Sequence, residues 1–123
     1  MRVMVIGASA DRSKFGNKAV RAFLRHGDEV FPVNPRAARH GERIEGLAVF
    51  PDVASVPGPI DRATVYLPPG LGVGAIEALA ARGDVGEIWL NPGADGAEVV
   101  RRARELGVEV IRACSIVAIG EHP

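Results

Sequence analysis

One cysteine, Cys114, stands in the whole chain, which excludes an internal disulfide framework and any all-cysteine metal site. A lone thiol fits a reducing compartment. Aromatic residues are scarce as well: four Phe, one Tyr and one Trp are too few for the stacking platforms that hold single-stranded nucleic acid. An excess of one charge is also missing. Lys plus Arg and Asp plus Glu each total 15, so no broad field draws the chain to nucleic acid or to an acidic membrane. No apolar run approaches the length of a bilayer span, and the N-terminus leads directly into strand-like sequence without a secretory pattern. The expectation is a cytoplasmic protein with neither nucleic-acid nor membrane partners. With 123 residues it reads as one domain, 1–123, able to bury roughly two thirds of its unfolded surface.

What is present is a series of short apolar runs. Val3 to Ile6, Glu29 to Val33, Ala63 to Leu67, Glu87 to Leu90 and Val108 to Ile111 read as strands, with a weaker candidate near Leu47 to Phe50. Their continuity suits strands covered on both faces, as in a parallel sheet between helices. Helical spacing joins Phe15, Ala19, Val20, Phe23 and Leu24, then Val73, Ile76, Leu79 and Ala80, then Val99, Ala103 and Leu106. Gly27, Gly83 and Gly107 stand where these helices would stop in a left-handed residue. The order predicts a doubly wound α/β fold, a mostly parallel sheet of five to six strands with helices on both faces. Pro32 cannot donate to a ladder and places its strand at an edge or at a strand end. Residues 34–46 read as a surface loop, and 56–61 as a turn.

In such a sheet, ligands bind beyond the carboxyl ends of the strands, near the point where strand order reverses. Three segments beside the Gly7 turn fall there: Asn34-Pro35-Arg36, Pro68-Pro69-Gly70 and Asn91-Pro92-Gly93. The turn itself, "GASADRSKFG" at 7–16, has the parts of a phosphate site. It offers a glycine at the tight turn, small Ala8 and Ser9 that permit backbone approach, and the start of a helix whose dipole favours anions. Ser9, Arg12, Ser13 and Lys14 could add hydroxyl or cationic contacts. Equally, Gly7 could only complete a turn and Ser13 only cap a helix.

The dinucleotide fingerprint would place glycine at positions 9 and 12 and an acid near the end of the second strand. This chain has Ser9 and Arg12, and its second strand ends in Val33-Asn34-Pro35-Arg36. Arg12, Lys14, Arg36 and Arg39 instead suit a ligand richer in phosphate than NAD, and bidentate arginine contacts suit a phosphate monoester. A nicotinamide-dependent oxidoreductase domain is therefore the alternative rather than the leading reading.

The segments "VIGASADRSKFGNKAVRAFLRHGDEVFPVNP", "GLAVFPDVASVPGPID", "VYLPPG", "IWLNPG" and "RARELGVEVI", in that order, make the chain resemble the small stand-alone CoA-binding proteins. These have a Rossmann-like fold related to the CoA-binding domain of succinyl-CoA synthetase alpha subunits and of ADP-forming acyl-CoA synthetases. The resemblance implies coenzyme A, or an acyl-CoA, as ligand. It places Gly7, Ala8, Ser9, Arg12, Ser13 and Lys14 around the pyrophosphate, with Asn34, Pro35 and Arg36 near the nucleotide end. Pro68 and Pro69, together with Asn91, Pro92 and Gly93, would line the remaining wall. It further implies binding without catalysis; a homo-oligomer and a CoA-site partner for a separate synthetase chain are left as open alternatives. Close relatives carry Glu-His four residues after their cysteine; here Ala118 stands there and Glu121-His122 follow later, so the resemblance assigns the tail no role.

The remaining reactive side chains read more simply as structural. His26 falls at a helix C-terminus, where a cation meets the dipole favourably; His40 lies in the long loop and His122 beside the last residue. None has a nucleophile or carboxylate partner in sequence, and metal-ligand spacing is absent. Cys114 could face the ligand and pair with the CoA thiol, although a buried inert thiol is the simpler reading. Trp89 and Tyr66 read as core, and Asp11 and Asp95 as residues at helix starts.

Overall fold

The structure, a computed structural model, describes residues 1–123. Five strands, β1 (Arg2–Ile6), β2 (Glu29–Val33), β3 (Ile60–Val65), β4 (Val85–Leu90) and β5 (Ile111–Arg112), form one sheet in the order β2-β1-β3-β4-β5. Every pairing is parallel. The chain steps outward from β1 to β2 and then crosses back to β3, so strand order reverses between β1 and β3. The switch point of this doubly wound fold lies at the carboxyl ends of those two strands.

Two apolar layers explain why β1 is apolar at each of four successive positions. Val3 and Val5 face α1 (Phe15–His26), joining Ala19, Val20 and Phe23 in one core, while Met4 and Ile6 face the other. There, α3 (Pro69–Arg82) supplies Ile76 and Leu79, and α4 (Ala97–Glu105) supplies Val99 and Ala103. Gly27 and Gly83 end α1 and α3 at φ 94° and 70°. Gly107, at φ 69°, follows α4.

Four expectations are corrected. β3 begins at Ile60 rather than Ala63, because Asp61 and Arg62 lie at the sheet's N-terminal edge, where polar side chains find partners: Asp61 accepts the Arg2 N–H at 2.7 Å and Arg62 donates to Glu87 at 3.0 Å. β5 shrinks to two residues, since Val108 and Val110 pack on the core without joining the ladder. The weak strand near Phe50 is only an isolated bridge to Val33. Residues 34–46 open with a helix, α2 (Pro35–Arg39), rather than a loop; Asn34 Oδ1 accepts the Ala37 N–H and Pro35 fixes the first turn. A final short helix, α5 (Ser115–Ala118), packs against α1.

Pro32 sits on the edge strand. Its carbonyl accepts the Phe50 N–H at 2.9 Å on the outer side, and the Asn34 N–H returns to the Phe50 carbonyl at 3.0 Å. The loop that follows Phe50 is tied down by Arg82, whose guanidinium donates to the carbonyls of Val53, Val56 and Gly58.

Asp28, at the turn after α1, is almost wholly buried and accepts from the Met1 amino group at 2.9 Å and from His26 Nδ1 at 2.8 Å. Burial disfavours its charge, but these hydrogen bonds outweigh it and hold the carboxyl below its ordinary value. A depressed folded-state pKa contributes stability above the unfolded value of about 4 that is lost as pH falls through the folded one. Asp28→Asn is therefore expected to be clearly less stable than wild type at pH 7, with a narrower gap at pH 3. Chemical denaturation at the two pH values measures it.

Candidate functional site

The turn after β1 is shaped by two glycines that leave no room for a methyl group. A Cβ on Gly7, which has φ 87°, would collide with the Tyr66 carbonyl, and one on Gly16 would collide with the Gly7 carbonyl. Together they bring β1, β3 and the start of α1 into direct backbone contact. Within the turn, the N–H groups of Gly7 and Ala8 donate to the Val33 carbonyl, Asp11 N–H to Ser9 Oγ, and Lys14 N–H to the Asp11 carbonyl. The N–H groups of Ser9, Ala10 and Arg12, and of Phe15 and Gly16 at the start of α1, have no acceptor in the chain. Unpartnered N–H groups at a turn and helix start are donors of the kind that an anion complements.

Beside that turn lies a cleft of about 540 Å³, bounded by Gly7, Ala8, Ser9 and Lys14, by Asn34 and Pro35 after β2, by Pro51, Asp52 and Val53, and by Tyr66, Leu67 and the Leu71–Ala78 face of α3. A second lobe of about 260 Å³ shares Gly7, Lys14, Tyr66 and Leu67 with it and extends over Phe15, Pro68, Pro92, Gly93 and Ala94. The two lobes form one groove across the switch point. Lys14 lies at their junction and is in no ion pair.

The expected site residues divide accordingly. Gly7, Ala8, Ser9, Lys14, Asn34 and Pro35 line the larger lobe, and Pro68, Pro92 and Gly93 the smaller. Arg12 turns to Glu45 at 3.5 Å instead of lining either lobe. Ser13 does not cap α1: its hydroxyl and N–H both donate to Asp11 Oδ1, at 2.7 and 3.0 Å, and hold the Asp11 carboxyl below its ordinary range. Arg36 is exposed on α2 outside the lining, and Pro69 opens α3.

Asn91 lies in neither lobe. Its Nδ2 donates to Thr64 Oγ1 at 2.6 Å and to the Val65 carbonyl at 3.0 Å, while Oδ1 accepts the Ser115 N–H at 2.9 Å. Thr64 and Tyr66 also meet Ser115 Oγ, at 2.8 and 3.1 Å. This buried cluster fastens α5 to the ends of β3 and β4. Tyr66 is thus not plain core: burial raises its pKa above the ordinary value despite hydrogen bonding with Ser115 and Thr64, and the neutral phenol borders both lobes.

Other residues carry no sequence mark of their role. Asn17, fully buried, donates to the Ser9 carbonyl at 2.9 Å and to Glu45 at 3.0 Å and accepts from Arg21 at 2.8 Å, holding the turn from behind. Asn34 does the same from the side, donating to the Ala8 carbonyl at 2.8 Å. The signal for Gly16 was present in the closing glycine of "GASADRSKFG", displaced from the spacing of the dinucleotide fingerprint. Cys114 is half-buried, His26 is held by Asp28, and no group of His, Cys, Asp and Glu side chains stands close enough to share a metal ion.

The parallel sheet, its switch point and the two-lobed groove with an amide-lined turn place the chain in the class of Rossmann-like nucleotide-binding α/β domains. The family described as "CoA binding domain" matches residues 1–120, and the chain belongs to it. It is 29% identical over 122 residues to an ADP-forming acetate–CoA ligase I of Archaeoglobus fulgidus, covering 98% of this chain but 17% of that protein. It is 28% identical to the alpha subunit of the ADP-forming acetate–CoA ligase II of Pyrococcus furiosus, again over 98% of this chain and 26% of the subunit. The chain thus spans about a quarter or less of these relatives. A conserved hypothetical protein of Pyrococcus furiosus superimposes with a TM-score of 0.81 at 29% identity, over 95% of this chain and 97% of that one.

Two substitutions test this construction. Gly16→Ala is expected to cost about 3 kcal/mol, the upper end for overpacking, since the obstacle is backbone rather than a flexible side chain. Asn91→Ala leaves the Ser115 N–H and the Val65 carbonyl short of partners in the interior and is expected to cost about 3 kcal/mol. Thermal unfolding of both variants provides the measurement.

Proposed function

We propose that the chain binds coenzyme A in the two-lobed groove and carries out no reaction of its own. The observation that carries the reading is the junction: the unpaired Lys14 ammonium stands where the lobes meet, flanked by residues with free backbone N–H groups, Ser9 in the larger lobe and Phe15 and Gly16 in the smaller. A ligand with a pyrophosphate between two unlike arms matches that arrangement. The nucleoside arm takes the larger lobe, with Asn34 and Pro35 at its side. Membership of the CoA binding domain family supports the same ligand. Binding alone is proposed because the hydroxyls at the groove are engaged within the chain: Ser9 Oγ accepts the Asp11 N–H and the Tyr66 hydroxyl is hydrogen-bonded with Ser115.

A second reading keeps the same site but makes the chain a CoA-site partner for a separate synthetase chain. It is favoured by the similarity to a synthetase alpha subunit and by Leu71, 60% exposed at the lip of the groove. Sedimentation of the chain with and without CoA reads its oligomeric state, and a stable complex with a synthetase chain would support this second role.

Calorimetric titration distinguishes the ligands. CoA is expected to bind and NAD not to, and at about a hundred times its dissociation constant CoA adds roughly 2.7 kcal/mol to stability. Absence of heat with CoA on the folded protein overturns the proposal. Lys14→Glu is expected to weaken CoA at least tenfold, as loss of a charge-assisted contact of about 1.5–3 kcal/mol would. Arg12→Ala, whose guanidinium already pairs with Glu45, is expected to change affinity less than threefold.

A further inference from the structure

We propose that α1 carries a second anion site on its outer face, in which Lys18, Arg21, Arg25 and His122 hold a phosphoryl group. The four side chains line one cleft of about 120 Å³, with Pro123 as its remaining wall. Positions 18, 21 and 25 share one face of the helix, at i, i+3 and i+7, and the tail after α5 brings the histidine to them. None of these residues lines either lobe of the groove, so the inference does not depend on what the groove binds.

The chain as a whole is neutral, which makes this concentration of one sign local. No carboxylate forms an ion pair with Lys18, Arg21 or His122, and Arg25 meets one only through Nε, which donates to Glu121 at 2.6 Å. Arg21 is fixed in place: its Nε donates to Asn17 Oδ1 at 2.8 Å and its Nη2 to the Arg12 carbonyl at 3.0 Å, while Nη1 has no acceptor in the chain. Lys18 is half-buried, and its ammonium lies 4.8 Å from the centroid of the Phe15 ring. Cations held side by side repel one another, and an anion between them removes that cost while gaining charge-assisted hydrogen bonds. A phosphoryl group carries about two charges and three acceptor oxygens, enough to engage the ammonium and both guanidinium groups. The cleft admits that group and leaves the rest of an ester outside.

Calorimetric titration of the Lys14→Glu protein, in which phosphate is kept off the Gly7 turn, tests the site. The titrants are inorganic phosphate, AMP, and chloride at matched ionic strength. Phosphate is expected to saturate one site and chloride to give no saturable heat. Adding Lys18→Gln or Arg25→Gln is expected to weaken phosphate about tenfold each, as loss of one charge-assisted contact would, with the thermal unfolding midpoint little changed. AMP binding with the same sensitivity to both substitutions assigns a phosphate ester as the occupant; binding of phosphate alone assigns the free ion. Equal responses to phosphate and chloride, or a phosphate affinity that neither substitution alters, overturns the site. So does a matching tenfold loss of CoA affinity when either substitution is made alone in the wild-type chain, which would make the cleft an extension of the groove.

Discussion

A contact with no space for a methyl group governs this molecule. Gly7 lies against the Tyr66 carbonyl and Gly16 against the Gly7 carbonyl, so the two strands at the switch point and the first helix approach at backbone distance. A side chain at Gly7 would part the ends of β1 and β3, and one at Gly16 would push α1 away from the turn. The free N–H groups of Phe15 and Gly16 would move with α1, away from the turn that carries those of Ser9, Ala10 and Arg12. The anion surface is thus a by-product of close packing, and the binding geometry and the fold rest on the same two residues.

Around this contact the protein uses polar side chains as fasteners. Asn17 and Asn34 grip the turn through the carbonyls of Ser9 and Ala8, and Asn91 ties the ends of β3 and β4 to α5. Each asparagine is buried or half-buried with its amide engaged, which is how interior amides are tolerated. Their effect is to hold backbone donors still before a ligand arrives, and preorganisation of that kind reduces the cost of binding.

How much of this was legible in the sequence follows from the kind of signal involved. Continuous apolar runs between helical periods lead to a parallel sheet, because burial on both faces demands them. The glycine stops at 27, 83 and 107 mark helix ends because left-handed backbone is cheap only there. The same pattern marks the strand ends, and the groove opens beyond those of β1 and β3. Partnership of side chains across long separations was not legible. Arg12 and Asn91 sit in segments that point to a ligand, yet Arg12 meets Glu45 and Asn91 meets Ser115, contacts that exist only once the chain is folded. Short helices also escaped: α2 and α5 have too few turns to show a period, although Asn34-Pro35 is a cap followed by a favoured first residue.

The two rims of the sheet have a bearing on how copies of the chain can meet. Along β2, Pro32 lacks an N–H and its outward carbonyl is already taken by Phe50, whose own carbonyl receives Asn34. At the opposite rim, β5 offers only Ile111 and Arg112. Neither rim presents the row of open backbone groups that templates the addition of a strand from a neighbour. Both rims therefore offer little edge on which a continuous sheet could grow, and a neighbour that met the lips of the groove would share its surface with the ligand.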